Sequence, residues 1–374
     1  MRAEHLYIHV PFCGRRCVYC DFSIAVRQRV PVDEYLRALG MELDRRHLES
    51  DFDLGTLYLG GGTPSKLGAA GVRELMDMVR ARARLRDGAE VTLEANPEDV
   101  TEENARGWMA AGVNRVSLGV QSFDENVLAW MHRTHSSRQA IDAVHVLRDN
   151  GMSNISVDII FGMPARVPRS WRRDLDQVLN LGVSHVSVYG LTVEPHTPLG
   201  RWVARRDITE TPEEEFENEF LEAHDVLVAA GFEHYEVSNY GRTEHHSRHN
   251  WAYWDRRPYG GIGPSAHEFD GTVRRWNASA YTDWVARLAQ GKRSTVGEEQ
   301  LAPDDIHSEA VYLSLRTNRG ITISEEERTD VDAWIQAGWA SIDPNETLRL
   351  TASGWMRLDA IANHLTLVRS RSYI

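Results

Sequence analysis

The sequence predicts an α/β fold, an open (β/α)6 partial barrel with a winged-helix-like helical unit at its C-terminal end. Three observations lead there. A weak internal repeat runs through the N-terminal half: GVNRVSLG (112–119), GMSNISVDI (151–159) and GVSHVSVYG (182–190) each place a glycine after a helical pattern and then enter a short apolar run. Glycine suits the left-handed residue that ends a helix, so each segment reads as a helix-to-strand joint. Six short runs rich in Val, Ile, Leu and Tyr, at 5–10, 56–60, 91–95, 115–120, 155–160 and 185–190, are separated by helical patterns. Such alternation implies a parallel sheet with right-handed crossovers, and six units fall short of a closed eightfold barrel. Residues 303–374 break the alternation and read as helix, helix, hairpin, helix.

The elements follow in order. Over 32–48, Val32, Tyr35, Leu36, Leu39 and Leu43 share one helical face; over 138–149, Ile141, Val144 and Leu147 do the same. Residues 212–230 form a Glu-rich helical stretch. Residues 231–281 hold many aromatics, histidines and glycines and read as more loop than regular element. In the last unit, Ala310, Val311, Leu313 and Leu315 lie on one helix and Val331, Trp334 and Ile335 on a second. GWASIDPNETLRLT (338–351) reads as a hairpin turning near DPNE, and a last helix from Ser353 carries Leu358, Ile361 and Leu365. The chain therefore divides into a barrel (1–211), a barrel-closing segment (212–302) and a C-terminal unit (303–374) expected to cover the barrel mouth.

Composition narrows the function. The 374 residues suffice for one large α/β domain with an appendage, or two domains. Hydrophobic residues make up 42% and charged residues 26%, values typical of soluble globular chains. No apolar run reaches the length of a membrane span, and MRAEHLYIHV lacks the apolar core of a secretory signal, so a cytoplasmic protein is expected. A net charge of −13 argues against a nucleic-acid partner, which needs a basic footprint.

All three cysteines lie in YIHVPFCGRRCVYCDF (7–22). The spacing Cys13-x3-Cys17-x2-Cys20 makes a poor disulfide framework and follows the first strand, where a barrel of this type carries its function. Three thiolates can bind three irons of a cubane 4Fe–4S cluster and leave the fourth open. Zinc is the rival; it wants four ligands in paired spacings, and here only His9 could complete a Cys3His set. Other strand ends carry polar motifs too. LGGGTPS (59–65) presents Gly61, Gly62 and Thr63, whose backbone can approach a ligand closely. Glu94 sits in LEANPED (93–99), Gln121 in GVQSFD (119–124), Arg133 twelve residues further on, and Asp158 in VDIIFGMP (157–164).

The cysteine spacing together with these motifs resembles the radical S-adenosylmethionine superfamily. That resemblance implies a partial TIM barrel of the radical-SAM type, whose open iron is chelated by the amino and carboxylate groups of S-adenosylmethionine, and whose reduction cleaves the cofactor to a 5′-deoxyadenosyl radical. Tyr-x-His-x-Pro-Phe-Cys (Tyr7 to Cys13), GGGTPS, GVQSFD and DIIFGMP are together similar to the oxygen-independent coproporphyrinogen III oxidases and their relatives, the HemW haem chaperones, from residue 5 to about 370. By that resemblance Tyr7, Gly61, Gly62, Thr63, Glu94, Gln121, Arg133 and Asp158 line the S-adenosylmethionine site. Asp158 would meet the ribose hydroxyls, Glu94 and Arg133 the charged groups of the methionine end, and Leu191 would make a backbone contact. The oxidases carry a further cysteine two positions after the cluster motif, where this chain has Phe22.

HNWAYW (249–254) matches in full the His-Asn-x-x-Tyr-Trp motif that the HemW group associates with haem, through His249, Asn250, Tyr253 and Trp254. Imidazole is a common axial ligand of haem iron, and Tyr and Trp offer flat apolar faces. The same aromatics could instead pack the helical tail onto the barrel. His245 and His249 would suit zinc if helical, but the Gly, Arg and Asn around them argue against a helix. The resemblance implies a haem chaperone that binds a 4Fe–4S cluster, S-adenosylmethionine and haem. It would deliver haem to apo-haemoproteins of the respiratory chain, reach the membrane through those partners, and act as a monomer or homodimer. The alternative is a radical enzyme acting on a porphyrin, like the oxidase or modifying haem. A nucleic-acid-modifying enzyme gripping RNA with the winged-helix unit comes third, against the acidic balance.

Overall fold

The computed structural model describes residues 2–49 and 51–371. Six parallel strands form its centre: β1 (Arg2–Val10), β2 (Asp51–Gly61), β3 (Arg84–Ala95), β4 (Arg115–Gln121), β5 (Ile155–Phe161) and β6 (His185–Gly190). The crossovers are α1 (Val32–Glu49), α2 (Gly68–Arg80), α3 (Glu102–Ala110), α4 (Ser137–Asp149) and α5 (Trp171–Leu181), with further short helical turns. The glycines of the internal repeat end helices as expected: Gly112, Gly151 and Gly182 have φ of +96°, +99° and +61°. The open (β/α)6 core matches the sequence reading.

Alternation along each strand sorts the residues into two faces. Leu6, Ile8 and Val10 of β1, Leu57 and Leu59 of β2, and Val116 and Leu118 of β4 are fully buried in one core beneath the helices. The opposite face turns into the barrel and is polar: Tyr7 stacks on Tyr58, Tyr58 reaches Glu94, and Ser117 reaches Asp158. A buried polar interior is costly unless satisfied, so it marks where function sits.

Two differences from the sequence reading have physical causes. β2 and β3 begin earlier than their apolar runs, because 84–90 pairs with 53–56 through backbone ladders and Arg86–Asp53 contacts (3.0 Å), which need no apolar side chains. Residues 231–281 are not mainly loop. α6 (Glu213–Ala229) leads into β7 (Glu233–Glu236) and β8 (Asn239–Gly241), which extend the sheet antiparallel beyond β6. α7 (Arg248–Trp254) follows, then β9 (Gly260–Ile262), which pairs parallel with β1. The sheet thus has nine strands in the order β9-β1-β2-β3-β4-β5-β6-β8-β7, and strands from beyond residue 211 complete both edges.

After β9 comes a three-stranded antiparallel sheet of β10 (His267–Phe269), β11 (Val273–Asn277) and β12 (Thr295–Gln300), with α8 (Tyr281–Ala289) between the last two. The C-terminal unit consists of α9 (Pro303–Leu315), β13 (Ile321–Thr322), α10 (Arg328–Gln336), the hairpin β14 (Ala340–Ile342) and β15 (Thr347–Leu350), and α11 (Leu358–Arg371). It packs along β7 and α6: Asn318 N–H donates to Tyr235 O (3.0 Å), Arg357 pairs with Glu217 (3.0 Å), and Trp355 meets the His234 ring edge-on. Among the described residues, those lining the cavity at the barrel mouth run no further than Glu194, so the described part of this unit does not cover the mouth as the sequence suggested. Among the described residues no helix is long and apolar enough to cross a membrane.

One carboxylate fastens the segment after β9 to the barrel. Glu42 of α1 is buried and accepts from Gly263 N–H (3.0 Å), Asn277 Nδ2 (2.6 Å), Trp284 Nε1 (2.8 Å) and Ser294 Oγ (2.8 Å). Replacing it by alanine would strand four buried donors, so Glu42→Ala is expected to lower the free energy of unfolding by about 3 kcal/mol in denaturant titration. A change below about 0.5 kcal/mol would show that these donors find other partners.

Candidate functional site

The strand ends meet around a cavity of about 460 Å³ at the C-terminal edge of β1 to β6. The loop after β1 brings all three thiols to its wall. That loop is held by Ala25 N–H on Pro11 O (2.7 Å), Arg27 N–H on Cys13 O (2.9 Å) and Val18 N–H on Met131 O (3.3 Å). Cys13, Cys17 and Cys20 are half-buried and unbridged. Burial pushes the Cys13 thiol up and the Cys20 thiol to about 11. Polar groups touch the sulfurs: Thr63 Oγ1 lies 3.4 Å from Cys13 Sγ, and Arg133 Nη1 donates to Cys17 Sγ (3.5 Å).

The geometry speaks against zinc. Among the described residues no three His, Cys, Asp or Glu side chains converge closely enough to hold a single metal ion. His9 does not complete a set with the thiols. Its Nδ1 is hydrogen-bonded to Tyr7 Oη (3.1 Å) and its Nε2 to Ser23 O (3.1 Å). Three separated thiols around a shared space suit a polynuclear cluster, which spreads its ligands over several irons.

The Gly61–Thr63 turn lies directly against the cysteine loop. A Cβ on Gly62 would stand 2.7 Å from the Pro11 carbonyl and 2.8 Å from Phe12 O, and Gly62 N–H donates to Val10 O (2.8 Å). Gly61 has φ +112°, and a Cβ there would meet the His9 ring at 2.6 Å. Gly61 N–H donates to Glu94 Oε2 (3.0 Å) and Tyr58 Oη to Glu94 Oε1 (2.8 Å). Burial raises the Glu94 carboxyl to about 7, with nearby Asp158 adding to the rise. Burial likewise raises Asp158, which accepts from Ser117 Oγ (3.1 Å) and Ser156 Oγ (3.4 Å). Two half-buried carboxyls facing one cavity favour a cationic or hydroxyl-bearing ligand.

Gln121 ends β4 with φ +69° after a register slip past Gly119, which turns its side chain back over that glycine. Arg133 Nη2 donates to Gly119 O (2.7 Å) and Asn96 Oδ1 (2.8 Å), and its Nε has no partner. Half-buried beside the thiols with an unused donor, it fits an anionic ligand group. Leu191 also lines the cavity, and its N–H donates to Phe161 O (2.9 Å). Of the residues named from sequence for S-adenosylmethionine, only Tyr7 stays behind the wall, stacked on Tyr58 at 6.1 Å. The sequence reading missed Tyr19, Asn96, Ser117 and Tyr189, which also line the cavity. Ser117 and Tyr189 alternate with buried apolar neighbours on β4 and β6, a period-two signal that could have found them.

HNWAYW is helical, unlike the sequence reading of its surroundings. Ser247 Oγ accepts from Asn250 N–H (3.3 Å), and the Arg248 and His249 amides donate to Glu90 (3.0 Å each), so the start of α7 is docked at the base of the barrel. His249 is 1% exposed and both ring nitrogens are engaged: Nδ1 with Thr56 Oγ1 (2.7 Å) and Nε2 with Tyr253 Oη (2.9 Å). Burial lowers it to about 3, so the imidazole is neutral. In this conformation the ring faces into the barrel rather than toward the Tyr253–Trp254 groove. The His245–His249 zinc pair fails for the same reason. Asn250 is half-buried. Tyr253 and Trp254 do line a groove of about 270 Å³ with Tyr259, Phe269, Arg256 and Arg274. Both guanidiniums pair with Glu309 there, and the buried Trp254 Nε1 has no partner.

Comparison with known proteins agrees with this geometry. Residues 7–178 match the Radical SAM superfamily, which brings with it a 4Fe–4S cluster and S-adenosylmethionine. The heme chaperone HemW of Mycobacterium tuberculosis is 36% identical over 367 residues, covering 96% of this chain and 94% of the relative. Escherichia coli HemW is 37% identical over 264 residues, 70% of this chain and 69% of that one. The solved structure of coproporphyrinogen III oxidase (HemN) from Escherichia coli, a radical SAM enzyme, superposes with a TM-score of 0.82 at 22% identity, over 96% of this chain and 89% of that one, and so shares the fold. The chain belongs to the HemW family of the radical SAM superfamily.

Proposed function

We propose that the protein is a cytoplasmic haem chaperone that keeps a cluster and S-adenosylmethionine at the barrel mouth and haem at α7. Cys13, Cys17 and Cys20 would hold the 4Fe–4S cluster. Gly61, Gly62 and Thr63 offer the backbone approach for the methionine end, Glu94 a carboxylate to accept from its amino N–H groups, and Arg133 a guanidinium for its carboxylate. Gln121 and Leu191 complete that wall, Asp158 accepts from the ribose hydroxyls, and Tyr7 supports the wall from behind. When bound, the reduced cluster supplies the electron that cleaves S-adenosylmethionine.

The observation that carries the haem reading is the groove at Tyr253 and Trp254. Its aromatic walls suit a flat macrocycle, and Arg256 and Arg274, both paired here with the single carboxylate of Glu309, suit the two propionates. At about 270 Å³ the groove is just under the usual size of a small-molecule pocket, about 300–1,000 Å³, so haem would enter edge-first and displace Glu309. His249 would reach the iron only by giving up Thr56 and Tyr253, with Asn250 moving alongside it. Phe22, 61% exposed on the cluster loop, stands where the oxidases are expected to carry a further cysteine, which favours the chaperone over porphyrin oxidation. Haem acceptors would be apo-haemoproteins of the respiratory chain.

Two outcomes test this. Cys17→Ala should lose the visible cluster absorbance and most bound iron in anaerobically reconstituted protein while far-UV circular dichroism stays unchanged; full iron content in the variant would refute the cluster assignment. In a Soret titration the wild type should bind one haem per chain, and Arg256→Ala combined with Arg274→Ala should weaken binding roughly tenfold. No stoichiometric binding by the wild type would sink the chaperone reading, and an unchanged double variant would move haem away from this groove.

A further inference from the structure

The inner face of the barrel joins α7 to the mouth. The His249 ring lies 5.1 Å from the Tyr58 ring at an interplanar angle of 30°, and Tyr7 stacks on Tyr58 at 6.1 Å and 26°. The Tyr58 ring is therefore packed by both. Its hydroxyl ends on Glu94 Oε1, and the other oxygen of that carboxylate takes the amide of Gly61. His249 is itself fixed from three directions, by Thr56, by Tyr253 and by the Glu90 carboxylate under its own amide. Thr56 in turn is shared with His5 Nδ1 (2.9 Å). A continuous train of side chains thus runs from HNWAYW at the barrel base to the turn expected to hold S-adenosylmethionine.

We propose that His249 is a positioning residue of the S-adenosylmethionine site: its ring packs on Tyr58, keeps the Tyr58 hydroxyl on Glu94, and so fixes the carboxylate beside Gly61. This rests on the S-adenosylmethionine assignment above and is independent of haem. The motif residue that the family reading gives to haem thereby has a second role, in haem-free protein. The physical argument is packing. Without the imidazole, a void opens beside Tyr58, and a ring that is no longer confined changes rotamer. Glu94 then loses a donor that stabilises its ionised form.

The test is S-adenosylmethionine binding to haem-free, cluster-reconstituted protein without reductant, by equilibrium dialysis from about pH 5.5 to 8. Burial holds Glu94 at about 7, with the facing Asp158 carboxyl raising it and the Tyr58 hydroxyl, the Gly61 amide and the Arg115 guanidinium lowering it, and its ionised form is the one that attracts a cation. Wild-type affinity should therefore rise with pH and level off above that point, falling toward tenfold per unit below it. Tyr58→Phe and His249→Ala should both move the midpoint upward by about one pH unit, which is roughly tenfold weaker binding on the acid side. His249→Phe keeps a flat ring against Tyr58 and should restore a midpoint close to wild type, although it cannot ligate iron. A merely structural role for His249 would lower stability without moving the midpoint. Wild-type binding with unshifted profiles in Tyr58→Phe and His249→Ala would overturn the positioning role alone. No wild-type binding at any pH would overturn the site, and this proposal with it. Should His249→Ala fail to fold, Tyr58→Phe and His249→Phe carry the decision.

Discussion

The mouth of this barrel depends on one close approach. The Gly61–Gly62 turn and the Pro11–Phe12 backbone lie so near each other that no side chain fits between them. The contact places the cysteine loop and the Gly-Gly-Thr turn on one wall, so that Thr63 touches Cys13 and Arg133 touches Cys17. Any residue with a Cβ at Gly62 must push against backbone carbonyls, which cannot yield as a flexible side chain can. Three thiols, the Arg133 guanidinium and the Glu94 and Asp158 carboxyls line this single cavity.

The second constraint is electrostatic. An inward face with Glu90, Glu94, Arg115 and Asp158 is costly in a parallel barrel, whose strands ordinarily bury apolar side chains on both faces. Serines and tyrosines from neighbouring strands offset part of that cost, yet Thr92 Oγ1 and Arg115 Nε remain without partners. Carboxyls pushed up by burial are poised to ionise when a cationic ligand arrives, which is how a ligand site differs from a packed core. α7 closes the base of this interior, and it does so with the residues that the motif assigns to haem. The two ends of the barrel are consequently parts of one network rather than separate sites.

Much of this was legible in the sequence, and the reasons are local. Gly112, Gly151 and Gly182 announced the helix ends, and the apolar runs announced the strands, because both signals lie within a few neighbouring residues. The clustered thiols and the strand-end motifs pointed to much of the mouth, but not to Tyr19, Asn96, Ser117 or Tyr189. The rest depends on distant partners. β7, β8 and β9 are three or four residues long and are held by pairing to strands already present, so no periodicity reveals them. The direction in which His249 faces is set by Thr56, 193 positions away, and by Glu90. HNWAYW alone fits both a packed ring and an exposed ligand, and only the fold decides between them. The C-terminal unit was recognised by its helix-hairpin-helix order, but its place along β7 follows from contacts such as Arg357 with Glu217 that have no sequence signature.

If haem binds at α7 through His249 as proposed, haem and S-adenosylmethionine act on opposite ends of one network. The most direct test is the S-adenosylmethionine affinity of the reconstituted wild type, measured with and without one equivalent of haem. If iron draws His249 away from Tyr58, haem weakens S-adenosylmethionine binding, and S-adenosylmethionine weakens haem binding by the same factor. Affinities for each ligand that are indifferent to the other would contradict the account and leave the two ends of the barrel independent.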